Sequence, residues 1–193
     1  MSLFQLMLLG ASAFFAYKVY EHIQTLDDSN EEGTFVDEDE KLQVTEKSSH
    51  QDEAMDLIQE QKYSEAIAIL VPIVDADATN IDAINALAFS YLKVKNNRNA
   101  MKYYERSLAL DDNNDVTHLA FASLLKEIRE YTKAQEHYKR AIEIDTNYEI
   151  AYFNYANLLV EMENLSEAKA MYKRAIEIEP TFNQAKFELD KLS

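Results

Sequence analysis

The run Tyr152-Phe153-Asn154-Tyr155-Ala156-Asn157-Leu158-Leu159, followed by Ala168, Tyr172, Ala175 and Pro180, decides how this chain is read. From Glu149 to Phe182 it forms one unit of 34 residues with the spacing of a helical hairpin. The same pattern recurs, without a gap, at steps of 34 residues towards the N-terminus. Small residues stand at Ala156, Ala122, Ala88 and Ala54, and again at Ala168, Ala134, Ala100 and Ala66. Large ones stand at Tyr172, Tyr138, Tyr104 and Leu70. A fixed period of this length marks a helical solenoid, in which each hairpin buries its apolar face against its neighbours. The alanines suit close helix approach, where a larger side chain would overpack by about 1–3 kcal/mol. The aromatics fill the wider gaps and supply most of the buried area.

Position by position, the last unit gives Tyr152, Tyr155, Ala156, Leu159, Ala168, Tyr172, Ala175 and Pro180. The one before gives His118, Phe121, Ala122, Leu125, Ala134, Tyr138, Ala141 and Thr146. The second gives Ile84, Leu87, Ala88, Tyr91, Ala100, Tyr104, Ser107 and Asp112. The first is degenerate, with His50, Glu53, Ala54, Leu57, Ala66, Leu70, Ile73 and Ala78. In this phase the chain resembles the tetratricopeptide repeat (TPR) family over about two thirds of its length. It departs from the family pattern in having Ala rather than Gly at the eighth position and the terminal Pro only once. The expected architecture is all-α: repeats at 47–80, 81–114, 115–148 and 149–182, then a capping helix over 183–193 carrying Phe187 and Leu189. Ser64, Ser166 and the Thr132/Gln135 pair are the expected N-caps of the second helices. Asn97, standing where Tyr63, Tyr131 and Leu165 stand in the other repeats, should mark the loosest inner turn.

Two segments precede the repeats. Leu3 to Tyr20 is nearly all apolar and about 18 residues long, at the short end of a membrane span, for which ~20 is usual. Lys18 suits the interface by snorkelling, and Tyr17 and Tyr20 suit the headgroup level. Residues 1–20 are therefore read as an uncleaved transmembrane anchor. The rivals are a cleaved signal peptide, from Ala11-Ser12-Ala13, and an ordinary buried helix. No basic residue precedes the apolar run, and Phe14-Phe15-Ala16 continues it past the would-be cleavage site. Residues 21–48 hold the clusters Asp27-Asp28, Glu31-Glu32 and Asp37-Glu38-Asp39-Glu40 and read as an acidic disordered linker, a spacer before a recognition element. Lys18, Lys41 and Lys47 follow the apolar run and none precedes it, which leans the repeat domain towards the cytoplasmic side.

Composition narrows the function. The formal net charge of −16 disfavours nucleic acid, whose phosphates need clustered Lys and Arg. With no Cys there are no disulfides, thiolate metal sites or Cys nucleophiles. Only two Gly and two Pro agree with an all-α chain. Asp75/Asp77/Thr79 and Asp111/Asn113/Asp115 begin like calcium loops, but Asn80 and Ala86, and Ala122, stand where Gly and Glu are required. Both lie at repeat junctions, where Asp and Asn are ordinary turn residues. His22, His50, His118 and His137 lack paired metal spacing, and His118 takes an aromatic packing position. No phosphate loop, nucleophile elbow or dinucleotide fingerprint is present. Asn164-Leu165-Ser166 matches a glycosylation sequon, a pattern common by chance. No catalytic residue, cofactor, metal or small-molecule substrate is expected.

The resemblance implies a concave groove lined by the second, fifth, ninth and twelfth positions of each first helix. Here these are Asp82, Asn85, Phe89 and Leu92; Val116, Leu119, Ser123 and Lys126; and Ile150, Phe153, Asn157 and Val160, with Asn154 beside them. The candidate peptide-binding residues are Asn85, Phe89, Leu119, Ser123, Phe153, Asn154 and Asn157. Apolar side chains with interspersed amides suit an extended peptide or the apolar face of a helix; the simpler reading of Leu119, Ile150 and Val160 is packing between hairpins. The carboxylate clamp with which part of the family holds heat-shock chaperone tails is missing in either register. Gln51, Met55, Ala86, Val116 and Ala120, or Asn85, Phe89, Ala120, Ile150 and Asn154, occupy its places. The expectation is a membrane-anchored adaptor or scaffold, with an assembly or secretion chaperone holding client chains as the alternative.

Overall fold

A computed structural model describes residues 50–192 of the chain. Among these residues it is entirely helical, with nine α-helices and no strand. They are α1 (residues 50–59), α2 (Tyr63–Ala76), α3 (Ile81–Lys93), α4 (Asn97–Leu110), α5 (Asp115–Glu127), α6 (Tyr131–Ile144), α7 (Glu149–Glu161), α8 (Leu165–Ile178) and α9 (Asn183–Lys191). They fall into two compact units divided after Asn96, and in the second unit α5 pairs with α6 and α7 with α8 as helical hairpins. The anchor expected at 1–20 and the linker expected at 21–48 lie outside the described residues. Among those described, no helix is long and apolar enough to cross a membrane.

Each hairpin has the same inner turn. Gln61, Lys95, Arg129 and Glu163 all have φ near +60° (63, 62, 66 and 61°) and sit 34 residues apart. The preceding helix ends there in a Schellman motif. The N–H of Lys95 bonds to the carbonyl of Leu92 and that of Asn96 to Tyr91, both at 2.9 Å. Gln61/Lys62, Arg129/Glu130 and Glu163/Asn164 repeat this pair of bonds. The left-handed residue satisfies carbonyls that the helix end would otherwise orphan. The turn before Asn97 has the same bonding as its counterparts and shows no looser geometry.

That geometry also corrects the expected caps. The second helices begin one residue before Ser64, Thr132 and Ser166, which lie inside them. Lys62 and Glu130 hold the cap position with no side-chain cap bond. Gln135, expected in a capping box, instead donates to the Tyr155 hydroxyl at 2.8 Å. Asn164 caps α8: its amide donates to the Glu167 carboxylate at 2.7 Å and its oxygen accepts from the Glu167 N–H at 3.5 Å. The junctions between repeats follow a second rule. Asp77, Asp111, Asp145 and Glu179 each accept the N–H two residues on, from Thr79, Asn113, Asn147 and Thr181. Asn80 and Asn114 then cap α3 and α5 by accepting from Ala83 and Thr117. Asp77 and Asp111 of the would-be calcium loops are thus engaged in turns, and Asn80 and Asn114 beside them in caps, as is common for Asp and Asn.

In the first unit the core is Ala54, Ile58, Ala66, Leu70, Val74, Ile84 and Leu87, with Asn80 tied to Gln51 at 3.0 Å. Pro72 lies inside α2 on an exposed face. In the second unit Ala122, Ala134, Ala141, Ala156, Ala168 and Ala175 are fully buried, and Tyr104, Tyr138 and Tyr172 are enclosed around them. Tyr155 joins three helices, since its hydroxyl accepts from Gln135 of α6 and donates to Glu167 of α8 at 2.9 Å. The last hairpin is covered by α9, through buried Ala185 and through Phe182, whose ring lies 5.0 Å from that of Phe153. Phe187 does not take part. It is 60% exposed, with the Lys191 ammonium 4.2 Å above its ring.

Candidate protein-binding surface

The candidate residues all lie on the first helices of the hairpins, α3, α5 and α7, because positions five and nine of the repeat are one helical turn apart. On α3, Asn85 is buried while Phe89 is half-buried. Phe89 meets Tyr63 edge-on at 6.0 Å, and Lys93 stands 4.9 Å over its ring. The half-buried ring thus has an aromatic and a cationic neighbour of its own.

In the second unit the candidates divide. Leu119 and Phe153 are 7% and 6% exposed, and Phe153 packs its ring on Tyr172 at 5.7 Å and on Phe182. Ser123, Asn154 and Asn157 are half-buried. Ser123 donates to the Leu119 carbonyl and lies 3.1 Å from the Tyr138 hydroxyl. One repeat later, Asn157 accepts from the Tyr172 hydroxyl at 2.6 Å. The ninth position therefore has a second duty, to receive the hydroxyl of the buried tyrosine at position 24. Burial pushes the Tyr138 phenol up, and it pushes Tyr172 up to about 12 with Glu188 adding to it. These hydroxyls stay protonated donors or acceptors across the physiological range.

Two features were not foreseen from the sequence. The first is a cleft of about 430 Å³ between α4, α5 and α6, lined by Met101, Leu108, Phe121 and Leu125 with Glu105 and His137 among its polar walls. The second is a contact between the histidines. Nδ1 of His118 lies 2.9 Å from Nδ1 of His137. His118 is 3% exposed, so its expected packing role holds, but it also bonds through Nε2 to the Asp112 carbonyl at 3.1 Å. Burial, then the neighbouring His118, hold His137 below its ordinary value. A spacing of 19 residues lies far outside a single helix turn, so only the repeat frame, which puts the fourth position beside the twenty-third, would have revealed the pair. Among the described residues no group of three potential ligands is arranged to hold a metal ion.

Family models for the tetratricopeptide repeat match residues 81–114 and 129–187. The chain carries tetratricopeptide repeats over these residues. No curated protein matches it. Among solved structures, MamA is similar with a TM-score of 0.66 and 21% identity, over 72% of this chain and 81% of MamA. PilF of Pseudomonas aeruginosa is similar with a TM-score of 0.71 and 19% identity, over 76% of this chain and 67% of PilF. The first TPR domain of Spaghetti (RPAP3), bound to the HSP90 peptide SRMEEVD, is similar with a TM-score of 0.57 and 24% identity, over 60% of this chain and 92% of that domain. At these identities the likeness is one of fold alone.

Proposed function

We propose that this protein is a membrane-anchored adaptor that binds a partner protein or peptide along the first-helix positions of its repeats, with no catalytic activity of its own. The observation that carries the reading is the set of half-buried polar side chains on the first helices of the second unit, Ser123 of α5 and Asn154 and Asn157 of α7. Amides and hydroxyls there match the backbone of an extended peptide, and in the first unit Phe89 offers an apolar contact of its own. The peptide-bound RPAP3 domain supports the binding mode in general. Its acidic ligand does not suit this chain, whose clamp positions hold no Lys or Arg and whose net charge of −16 repels a carboxylate. A partner with a neutral or basic segment fits better. Anchoring rests on the apolar run Leu3–Tyr20, with the repeats on the cytoplasmic side from the lysines that follow it.

The test is position-specific crosslinking in the full chain. Photo-reactive residues at 89, 154 and 157 should trap one defined partner, while the exposed positions Lys139 and Lys173 on the second helices should not. Trapping at 139 and 173 alone would move the surface to the opposite helices. Many clients at low yield would favour a holding chaperone instead. Protease treatment of sealed vesicles, with and without detergent, tests the anchor and its side. A repeat domain found wholly in the soluble fraction would refute the anchor.

A further inference from the structure

The histidine contact fixes its own protonation pattern. The Asp112 carbonyl can only accept, so His118 Nε2 carries a proton. In a neutral ring the other nitrogen is then bare, so His118 Nδ1 accepts and His137 Nδ1–H donates across 2.9 Å. One added proton enters at His137 Nε2 and leaves this bond intact, now assisted by charge. A second must enter at His118 Nδ1, where the donated proton already lies. Two N–H groups then face each other, and two positive rings stand with centroids 5.1 Å apart.

We propose that His118 and His137 form a proton-operated latch between α5 and α6, closed with zero or one added proton and opened by the second. The surroundings divide over it. On the turn, Asp112 lies 3.6 Å from His118 Nε2 and favours a positive ring, but Arg140 of α6 partly neutralises it at 3.7 Å. Glu136 of α6 and Glu105 of α4 add negative charge nearby, Asp115 of α5 faces His118, and Lys133 of α6 opposes them. These carboxylates ease the first proton and supply no acceptor for the second at Nδ1. His137 is held below its ordinary value of 6.5. At this ring the folded form therefore binds fewer protons than the unfolded one, so folding stability declines as the pH falls below about 6.5, and the latch itself opens only where the second proton is forced onto the pair. Tyr138 is the next residue after His137 and holds Ser123, so opening acts on one of the proposed binding positions.

The following hairpin is a built-in control. Its corresponding residues are Tyr152 and Met171, neither of which carries an imidazole. Tyr152 makes the same bond as His118, its hydroxyl donating to the Thr146 carbonyl six residues back. The double variant His118→Tyr/His137→Met thus copies a contact that the fold already accommodates.

Amide hydrogen exchange of the full chain, corrected for intrinsic rates, is measured at about pH 7.5 and about pH 5, together with the nitrogen NMR signals of both rings. Protection of residues 115–144 should fall at least about tenfold relative to residues 149–178, the equivalent of one unit of pKa. The double variant should lose no such protection. At neutral pH the spectrum should show one Nδ1–H, on His137, and two coupled titration steps. Two rings titrating independently near 6.5, or an equal loss of protection in the double variant, would overturn the latch. If the double variant does not fold, His137→Met alone decides: it removes the donor ring and the first proton site, so two positive rings can no longer face each other, and pH-dependent opening that persists in it refutes the proposal.

Discussion

Replacing Tyr104 by Phe should stabilise the protein, whereas the same change at Tyr138 or Tyr172 should destabilise it. The three tyrosines occupy one repeat position and are all enclosed. Tyr138 lies 3.1 Å from the Ser123 hydroxyl, and Tyr172 donates to Asn157 at 2.6 Å. The Tyr104 hydroxyl is buried with no hydrogen-bond partner among the described residues, and burial pushes its phenol well up. An unsatisfied buried hydroxyl costs about 1–3 kcal/mol, while a satisfied one contributes about 0.5–1.5. Removing one oxygen leaves a void smaller than a water, so the first term dominates. Tyr104→Phe is expected to gain about 1 kcal/mol, or roughly 3 °C in melting temperature for a domain of this size. Tyr138→Phe and Tyr172→Phe should each lose about 1 kcal/mol. The assay is urea unfolding followed by circular dichroism, comparing midpoints at unchanged slope, because repeat arrays need not melt in two states. A Tyr104→Phe protein as destabilised as the other two would show that its hydroxyl is hydrogen-bonded in the folded state and would refute the reasoning.

Ser107→Ala should also stabilise by about 1 kcal/mol: Ala141 and Ala175 hold the corresponding positions, and the buried Ser107 hydroxyl has no partner among the described residues; the urea midpoint checks it. Glycine at Lys95, Arg129 or Glu163 should gain about 0.5–1 kcal/mol each, since a left-handed side chain costs about 1–2 kcal/mol and the flexibility of unfolded glycine returns part of it. Alanine at any of the three should give no gain, which calorimetry would show. Pro72→Ala should add about 2 kcal/mol, because an interior proline forfeits a helix bond to residue 68 while stiffening the unfolded chain less than that. An unchanged melting temperature would mean the first unit draws on a constraint at Pro72.

The register was legible because the alanines and tyrosines agree in phase at several positions at once, so packing over-determines it. The inner turns were not. Helix ends are usually announced by Gly, and this chain puts Gln, Lys, Arg and Glu at the left-handed position instead. Without that marker, Ser64 and Thr132 looked like caps, although the Schellman motif starts each second helix one residue earlier. The candidate surface was legible as a list of positions, not as exposures. Phe153 has the same spacing as Phe89, but Phe182 from the segment leading into α9 covers it. Sequence periodicity identifies which residues share a face; it does not say how deep each one sits.

The two kinds of turn bear on how such a chain is lengthened. Every junction is closed by an acid that accepts from the residue two places on, and every inner turn returns the backbone at the same angle. A duplication of residues 115–148 would therefore begin and end in conformations identical to those it interrupts. Both new seams would inherit bonds already made within a few residues, while the longer-range bond from Gln135 to Tyr155 would find Phe121 of the new copy in the tyrosine's place. Repeat number in this architecture is open to tandem copying, and the buried alanines are the fixed docking face that each new copy must keep.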